Sequence, residues 1–205
     1  MSDTSAQSRR EIIAAAAKAF MEQGYAATSI DTVAVQLGAT KGRIYYHYRS
    51  KADLLFDVHR ESMHMNLDTI RPIAQQDASA TQRLDQMARA HAYLVINHLP
   101  MQRVSVQGIE MHLSGSTTPE QREVLNALIA MRDAYERCFI DVLAAGVSTG
   151  EFRPLNPRKV VKPLLGALNW MTMWYQPSPD DTDETREALA QEHADFVVGG
   201  VRAIV

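Results

Sequence analysis

Hydrophobic positions recur at helical spacing along almost the whole chain, and no segment alternates convincingly as a strand. Ile12, Ala16 and Phe20 begin the series, followed by Gly24-Tyr25. Ile30, Val33, Ala34 and Leu37 form a short second stripe, and Leu54, Leu55 and Val58 start a longer one. Caps mark the boundaries. Thr28 with Asp31 reads as a capping box, with Asp31 placing negative charge at the positive helix end. Gly38 supplies the backbone freedom that ends this helix, and Thr40 is placed to cap the next, Lys41 to about Tyr48. Ser50 with Asp53 opens a helix predicted to reach about Ile70, where Pro72 stops it. Asp77 to Thr81 is a polar link. Helices are then predicted from about Thr81 to Leu99, ended by Pro100, and from about Met101 to Leu113. After the loop S-G-S-T-T, Thr118-Pro119-Glu120-Gln121 starts a helix with Pro in its first position and a capping box. It is predicted to run to about Ala145 and stop at Gly146. Asn156-Pro157 begins another that ends near Tyr175, with Pro163 either bending it or marking a later start. The last runs from about Asp183 to the C-terminus. The prediction is an all-α chain of three helices followed by about six, with no internal repeat.

The stretch from Thr28 to Lys51 carries the most chemistry. It reads as two short helices joined by a glycine turn, the second opening with Lys41 and Arg43 and closing in aromatics. Such a helix enters the DNA major groove and grips the flanking phosphates. Lys41 and Arg43 lie in its first turn, the end that reaches base edges, where a guanine contact contributes roughly 1–3 kcal/mol of discrimination. Gly42 lets the backbone approach DNA closely. Tyr45, Tyr46 and His47 can donate to phosphate oxygens or touch thymine methyls, and Lys51 can bind phosphate from the next helix. Ile44 and Tyr48, four apart, belong to the core.

Charge supports this division. The 205 residues carry a formal net charge of -3, yet residues 1–51 hold seven Lys and Arg against four Asp and Glu, a local +3. The positive field sits where phosphates would be, and the remainder repels DNA. The single cysteine, Cys138, excludes an internal disulfide framework and fits a reducing cytoplasm. The polar start, residues 1–8, is expected to be disordered rather than a signal peptide, and no apolar run approaches membrane-spanning length. A cytoplasmic location is expected.

The segment from Arg9 to Val58 resembles the N-terminal domain of the TetR family of bacterial transcriptional repressors. The resemblance runs through the opening helix, T-S-I-D-T-V-A, the G-A-T-K-G turn and Y-Y-H-Y-R-S-K-A-D-L-L. It implies that Lys41, Gly42 and Tyr45 approach bases, while Thr28, Tyr46, His47 and Lys51 hold phosphates. With Thr40 and Arg43 these make up the expected DNA-contacting set. Arg43 stands where the family more often has a small Thr, Ser or Asn, which implies an added guanine contact. The implied organisation is a helix-turn-helix domain over residues 9–50 and a ligand-binding and dimerisation domain over residues 51–205.

In the family layout the last two helices of two subunits form a four-helix bundle, so that a homodimer spans a palindromic operator. Leu165, Leu168, Phe196, Gly199 and Gly200 are the expected interface residues, with an ordinary intramolecular core as the competing reading. The middle helices should hold an effector pocket. His91 and His98 lie on a stripe expected to be buried, and Arg132 interrupts the stripe that includes Tyr135 and Phe139. A buried Arg needs an anion, either a protein carboxylate or a ligand. Trp170, Trp174, Met171 and Met173 suit a bulky apolar ligand, although each feature also fits a satisfied core. The segment Leu164 to Pro177 resembles TetR-family regulators of lipid and steroid catabolism, which implies a coenzyme A thioester as effector. Arg153, Arg158, Lys159 and Lys162 would then face its phosphates.

The alternative within the same class is a regulator of efflux or detoxification genes that senses hydrophobic drugs. Metal sensing is disfavoured, because the seven residues from His91 to His98 span roughly 10 Å of helix and no metal-binding motif occurs. No cofactor is expected. Nor is an enzyme, in the absence of G-x-S-x-G, a P-loop or G-x-G-x-x-G.

Overall fold

The computed structural model describes residues 2–107 and 118–203. Nine helices are found among them, with no strand beyond one isolated bridge. They are α1 (Ser2–Ala27), α2 (Ile30–Leu37), α3 (Lys41–Tyr45), α4 (Lys51–Ala74) and α5 (Ala80–Asn97), then α6 (Leu99–Val106), α7 (Pro119–Thr149), α8 (Pro157–Trp174) and α9 (Asp183–Gly199). The chain forms two compact units, Met1–Met63 with Pro100–Ile129, and His64–Leu99 with Ala130–Val205.

The first unit is built around the inner face of α1, where Ile12, Ile13, Ala16, Ala17 and Phe20 are buried. Ile30, Val33 and Ala34 of α2, Ile44 of α3 and Tyr48 close over it, together with Leu54, Leu55 and Val58 of α4 and Val104 of α6. The expected boundary between residues 50 and 51 therefore cuts through a core. The expected tail over residues 1–8 is also corrected. Helix α1 starts at Ser2, and Gln7 donates to Glu11 at 3.0 Å and accepts from Arg10 at 3.1 Å.

Helix α2 is capped one residue later than expected. Ser29 Oγ accepts from the Thr32 amide, and the Thr32 hydroxyl accepts from the Ser29 amide. Thr28 is buried, and its hydroxyl donates to the Gly24 and Ala19 carbonyls at 2.7 and 3.2 Å. A hydroxyl drawn inward needs partners there, which leaves Ser29 to cap. Gly38, in the left-handed region at φ 66°, ends α2 as expected.

Several helix ends shift for packing reasons. Helix α4 continues through Pro72 to Ala74, with the proline in its last turn. Pro100 lies in the first turn of α6, where a missing N–H costs little. The expected extension to Leu113 and most of the S-G-S-T-T loop lie outside the described residues. Thr118 and Gln121 form their capping box. Helix α7 then passes Gly146 and stops at Gly150, whose φ is 78°. Gly146 is needed for contact instead: a Cβ there would lie 2.1 Å from the Phe152 ring. Asn156 caps α8, with Pro157 in its first turn and Pro163 inside it. Helix α9 ends at Gly199, so the expected run to the C-terminus is broken. The chain instead turns to pair Arg202 with Phe152.

In the second unit, α5 buries Leu84, Met87, Ala88, His91, Ala92, Leu94, Val95 and Ile96. Helix α9 packs along it with an inner face of Ala190, Ala194, Val197 and Val198, small enough for close approach. The start of α5 is satisfied twice over. Ser79 and Gln82 form a capping box, and the Glu151 carboxylate accepts from the Ala80 and Thr81 amides at 3.1 and 2.8 Å. Those backbone bonds pull the Glu151 pKa from 4.5 down to about 2.

Replacing Glu151 with Ala should cost about 1 kcal/mol at neutral pH, the size of a lost helix cap. Because the folded-state pKa is depressed, this contribution is complete above about pH 4.5 and is lost as the pH falls toward about 2. Thermal melting of the variant and the parent should therefore differ at pH 7 and converge across that window. Curves separated equally at every pH would contradict the assignment.

Candidate nucleic-acid interface

Helix α3 has only five residues, and its orientation comes from outside itself. Ile44 and Tyr48 are buried in the core of the first unit. The opposite face carries Lys41, Gly42, Tyr45 and Tyr46, with Tyr45 54% and Tyr46 82% exposed. Exposed tyrosines beside a lysine, on a helix pinned by its inner face, form a surface able to meet phosphates and base edges. His47 is half-buried, edge-on to Tyr46 with ring centres 5.0 Å apart. The helix is shorter than expected, because Tyr46 and His47 already lie in the following turn. Thr40 sits at the N-cap but makes no side-chain cap bond, so its exposed hydroxyl remains on the surface. Lys41 lies 3.5 Å from Asp31, and both are well exposed. Such a pair is weak, so phosphate can compete for the lysine.

Three of the expected contacts are engaged elsewhere. Thr28 faces inward, as above. Lys51 Nζ donates to the carbonyls of Tyr25 and Thr28, each at 2.7 Å, and of Ala26 at 3.3 Å. It also lies 4.4 Å above the Tyr25 ring, and burial lowers its pKa. Lys51 thus closes the segment that follows the break of α1 at Gly24, whose carbonyl groups favour a cation. A signal for this was present in the sequence: a lysine in the first turn of α4 opposes that helix's own dipole. Arg43 is also drawn back, with Nη2 2.5 Å from Glu11 and Nε donating to Ser8 at 3.1 Å. Glu11 and Ser8 are functional neighbours that pattern reading missed.

In the second unit, His91 and Tyr135 are buried together, with Nδ1 and the phenol oxygen 2.5 Å apart. Burial pushes the His91 pKa down to about 4, against a smaller upward pull from the Asn169 side chain, so the ring is neutral near pH 7. Tyr135 is held protonated by burial and packs on Phe139 at 5.5 Å between ring centres. His98 caps the end of α5 and is half-buried, which lowers its pKa. Arg132 is corrected: its side chain is 61% exposed and 3.6 Å from Asp133, because that position rotates out of the buried stripe of α7.

Trp170 and Trp174 are surface residues. They stand on the outer face of α8, Trp170 63% exposed, beside the 73% exposed Phe196 of α9. With Gly166, Ala167, Glu192 and His193 they line an open groove of about 560 Å³. Trp174 stacks on His193 at 5.6 Å. Among the expected interface residues, Leu168 points into the core and Leu165 is half-buried, whereas Phe196 and Gly199 are exposed. Gly200 caps α9, and its carbonyl accepts two bonds from Arg153. The two glycines therefore end a helix rather than thin its middle. Lys162 pairs with Glu136 at 2.7 Å, while Arg158 and Lys159 stay exposed.

Comparison with known proteins decides the family. Residues 12–58 match the bacterial regulatory proteins of the tetR family, and residues 77–201 match the tetracyclin repressor-like C-terminal domain. The chain belongs to the TetR family. It is 25% identical over 197 residues to the transcriptional repressor KstR2 of Mycolicibacterium smegmatis, covering 96% of this chain and 91% of that protein. The ketosteroid transcriptional regulator KstR2 of Mycobacterium tuberculosis has the same fold, with a TM-score of 0.81 at 23% identity over 96% of this chain and 95% of that one. So does AibR in complex with isovaleryl coenzyme A and operator DNA, with a TM-score of 0.74 at 22% identity over 92% of this chain and 97% of that one. Among the described residues there is no cluster of three or more metal-binding side chains, and no helix is long and apolar enough to cross a membrane.

The role assigned to Lys51 is directly testable. Lys51→Met should destabilise the protein by about 1–2 kcal/mol, the scale of charged hydrogen bonds to a helix end. Amide exchange at residues 24–28 should rise with it. Unchanged melting together with weaker DNA binding would return Lys51 to the phosphate-contacting set.

Proposed function

We propose that this protein is a homodimeric transcriptional repressor that leaves its operator when a coenzyme A thioester, or a similar apolar ligand, binds the second unit. The observation that carries the DNA-binding half is the outer face of α3, where Lys41, Tyr45 and Tyr46 project from a helix anchored by Ile44 and Tyr48. Thr40, Gly42 and His47 complete the contacting surface in this reading. Two such helices, related by a two-fold axis, would occupy successive major grooves of a palindromic site. The exposed aromatic face of α8 and α9 supports the dimer, since an apolar patch of this kind needs a cover.

Support for the effector half is of a different kind. The neutral His91–Tyr135 pair, beside Phe139, offers hydrogen-bonding groups inside an apolar core, suited to a carbonyl oxygen. Exposed Arg158 and Lys159 suit phosphates. The similarity to AibR, solved in complex with isovaleryl coenzyme A, supports an acyl-CoA effector. To carry the protein from 1:99 to 99:1 in favour of release, the ligand must prefer the released state by about 5.5 kcal/mol.

The test is a gel shift on the DNA immediately upstream of the protein's own gene, titrated with acyl-CoA thioesters. Retardation relieved by one thioester is expected, and retardation that none relieves would remove the thioester from the reading. Lys41→Ala should weaken binding without altering the fold and reduce the salt slope by about 1. Unchanged affinity at moderate salt would displace α3 from the interface.

A further inference from the structure

The Arg43 guanidinium is held by an arrangement with its own support. Nη2 is 2.5 Å from Glu11 Oε2, and Nε donates to Ser8 Oγ at 3.1 Å. The other carboxylate oxygen of Glu11 accepts from Gln7 at 3.0 Å. Gln7, Ser8 and Glu11 share one turn of α1, so both oxygens of Glu11 are engaged and the carboxylate is oriented.

Resting on the repressor reading above, we propose that Glu11 and Ser8 clamp Arg43 as a positioning residue of the recognition helix. Arg43 does not read operator bases, and base preference is left to Lys41 and Tyr45. Two physical arguments carry this. First, α3 has little of its own to hold its angle: it has five residues, a Thr40 that makes no cap bond, and Ile44 as its buried side chain, with Tyr48 anchoring only the turn beyond it. Isolated helices below about 12 residues are marginal in water, so tertiary ties must set its orientation. Second, Nε and Nη2 form the paired edge of the guanidinium that a bidentate guanine contact can use, and here both are occupied. Moving Arg43 to a base would exchange a carboxylate for neutral acceptors. It would also leave the Glu11 carboxylate, held then by Gln7 alone, without its cation. The basic residue that departs from the family pattern is thus matched by an acidic residue on α1, and the two cancel next to the DNA.

The experiment has two readouts on the full-length chain and on Glu11→Gln, Arg43→Ala and the double variant. Without DNA, amide exchange at residues 44–46 should quicken about fivefold in either single variant, and no further in the double, because both break one interaction. Single effects that multiply in the double, or an Arg43→Ala without effect, would overturn the clamp. With DNA, duplexes are selected from a random pool by the wild-type protein and then varied one base pair at a time. Arg43→Ala should keep the wild-type order of preference. Loss of roughly tenfold discrimination at one base pair in Arg43→Ala alone would make Arg43 a base reader and overturn the proposal. The readings separate cleanly, since a wild-type protein that retains no duplex while residues 44–46 respond as expected would sink the repressor reading and leave the clamp standing.

Discussion

A recognition helix of five residues cannot hold its own orientation, and the architecture of the first unit answers that constraint. Ile44 and Tyr48 fix α3 from beneath, and the Arg43–Glu11 pair fixes it from the side against α1. Helix α1 is in turn fastened by residues far along the chain. Lys51 closes its C-terminal carbonyls, and Arg9 meets the buried Asp57 at 2.7 Å. Asp57 also pairs with Arg60 on the same helix. Basic residues clustered near a DNA surface therefore divide into two groups. Some hold the platform still, and others, with the tyrosines, remain on its open face.

The second unit solves a different problem, that of burying a long helix while keeping a surface for assembly. Small side chains on α9 let it lie close to α5, and the bulk is supplied by Leu164, Leu168 and Met171 of α8. The largest aromatics of α8 are consequently free to face outward with Phe196. Inside, a histidine–tyrosine pair supplies polarity to a largely apolar core that also holds Asn66 and Thr172. Burial keeps both groups neutral near pH 7.

Features set by neighbours in sequence are legible from the residues alone. The Thr118–Gln121 box, the Asn156-Pro157 start and the Gly38 stop all appear where local chemistry puts them. The inner positions Ile44 and Tyr48 are legible too, because their spacing matches a single helix face. Features set by distant partners are not. Gly146 looks like a helix stop until Phe152 is placed against it, and Lys51 looks like a phosphate ligand until the end of α1 arrives beneath it. Arg132 interrupts a buried stripe in the sequence yet faces outward, and Trp170, which fits either a ligand or a core by pattern, is exposed. In a helix this long, or this rich in apolar residues, both faces carry a plausible stripe, and only the packed neighbours decide between them.

In the proposed complex the open face of α3, presented twice by a dimer, is what meets DNA. The most direct test is the salt dependence and stoichiometry of wild-type binding to a duplex selected from a random pool. Two chains per site and an affinity that falls steeply with salt are expected, as several phosphate-bound ions are displaced. One chain per duplex, or an affinity indifferent to salt, would contradict that complex.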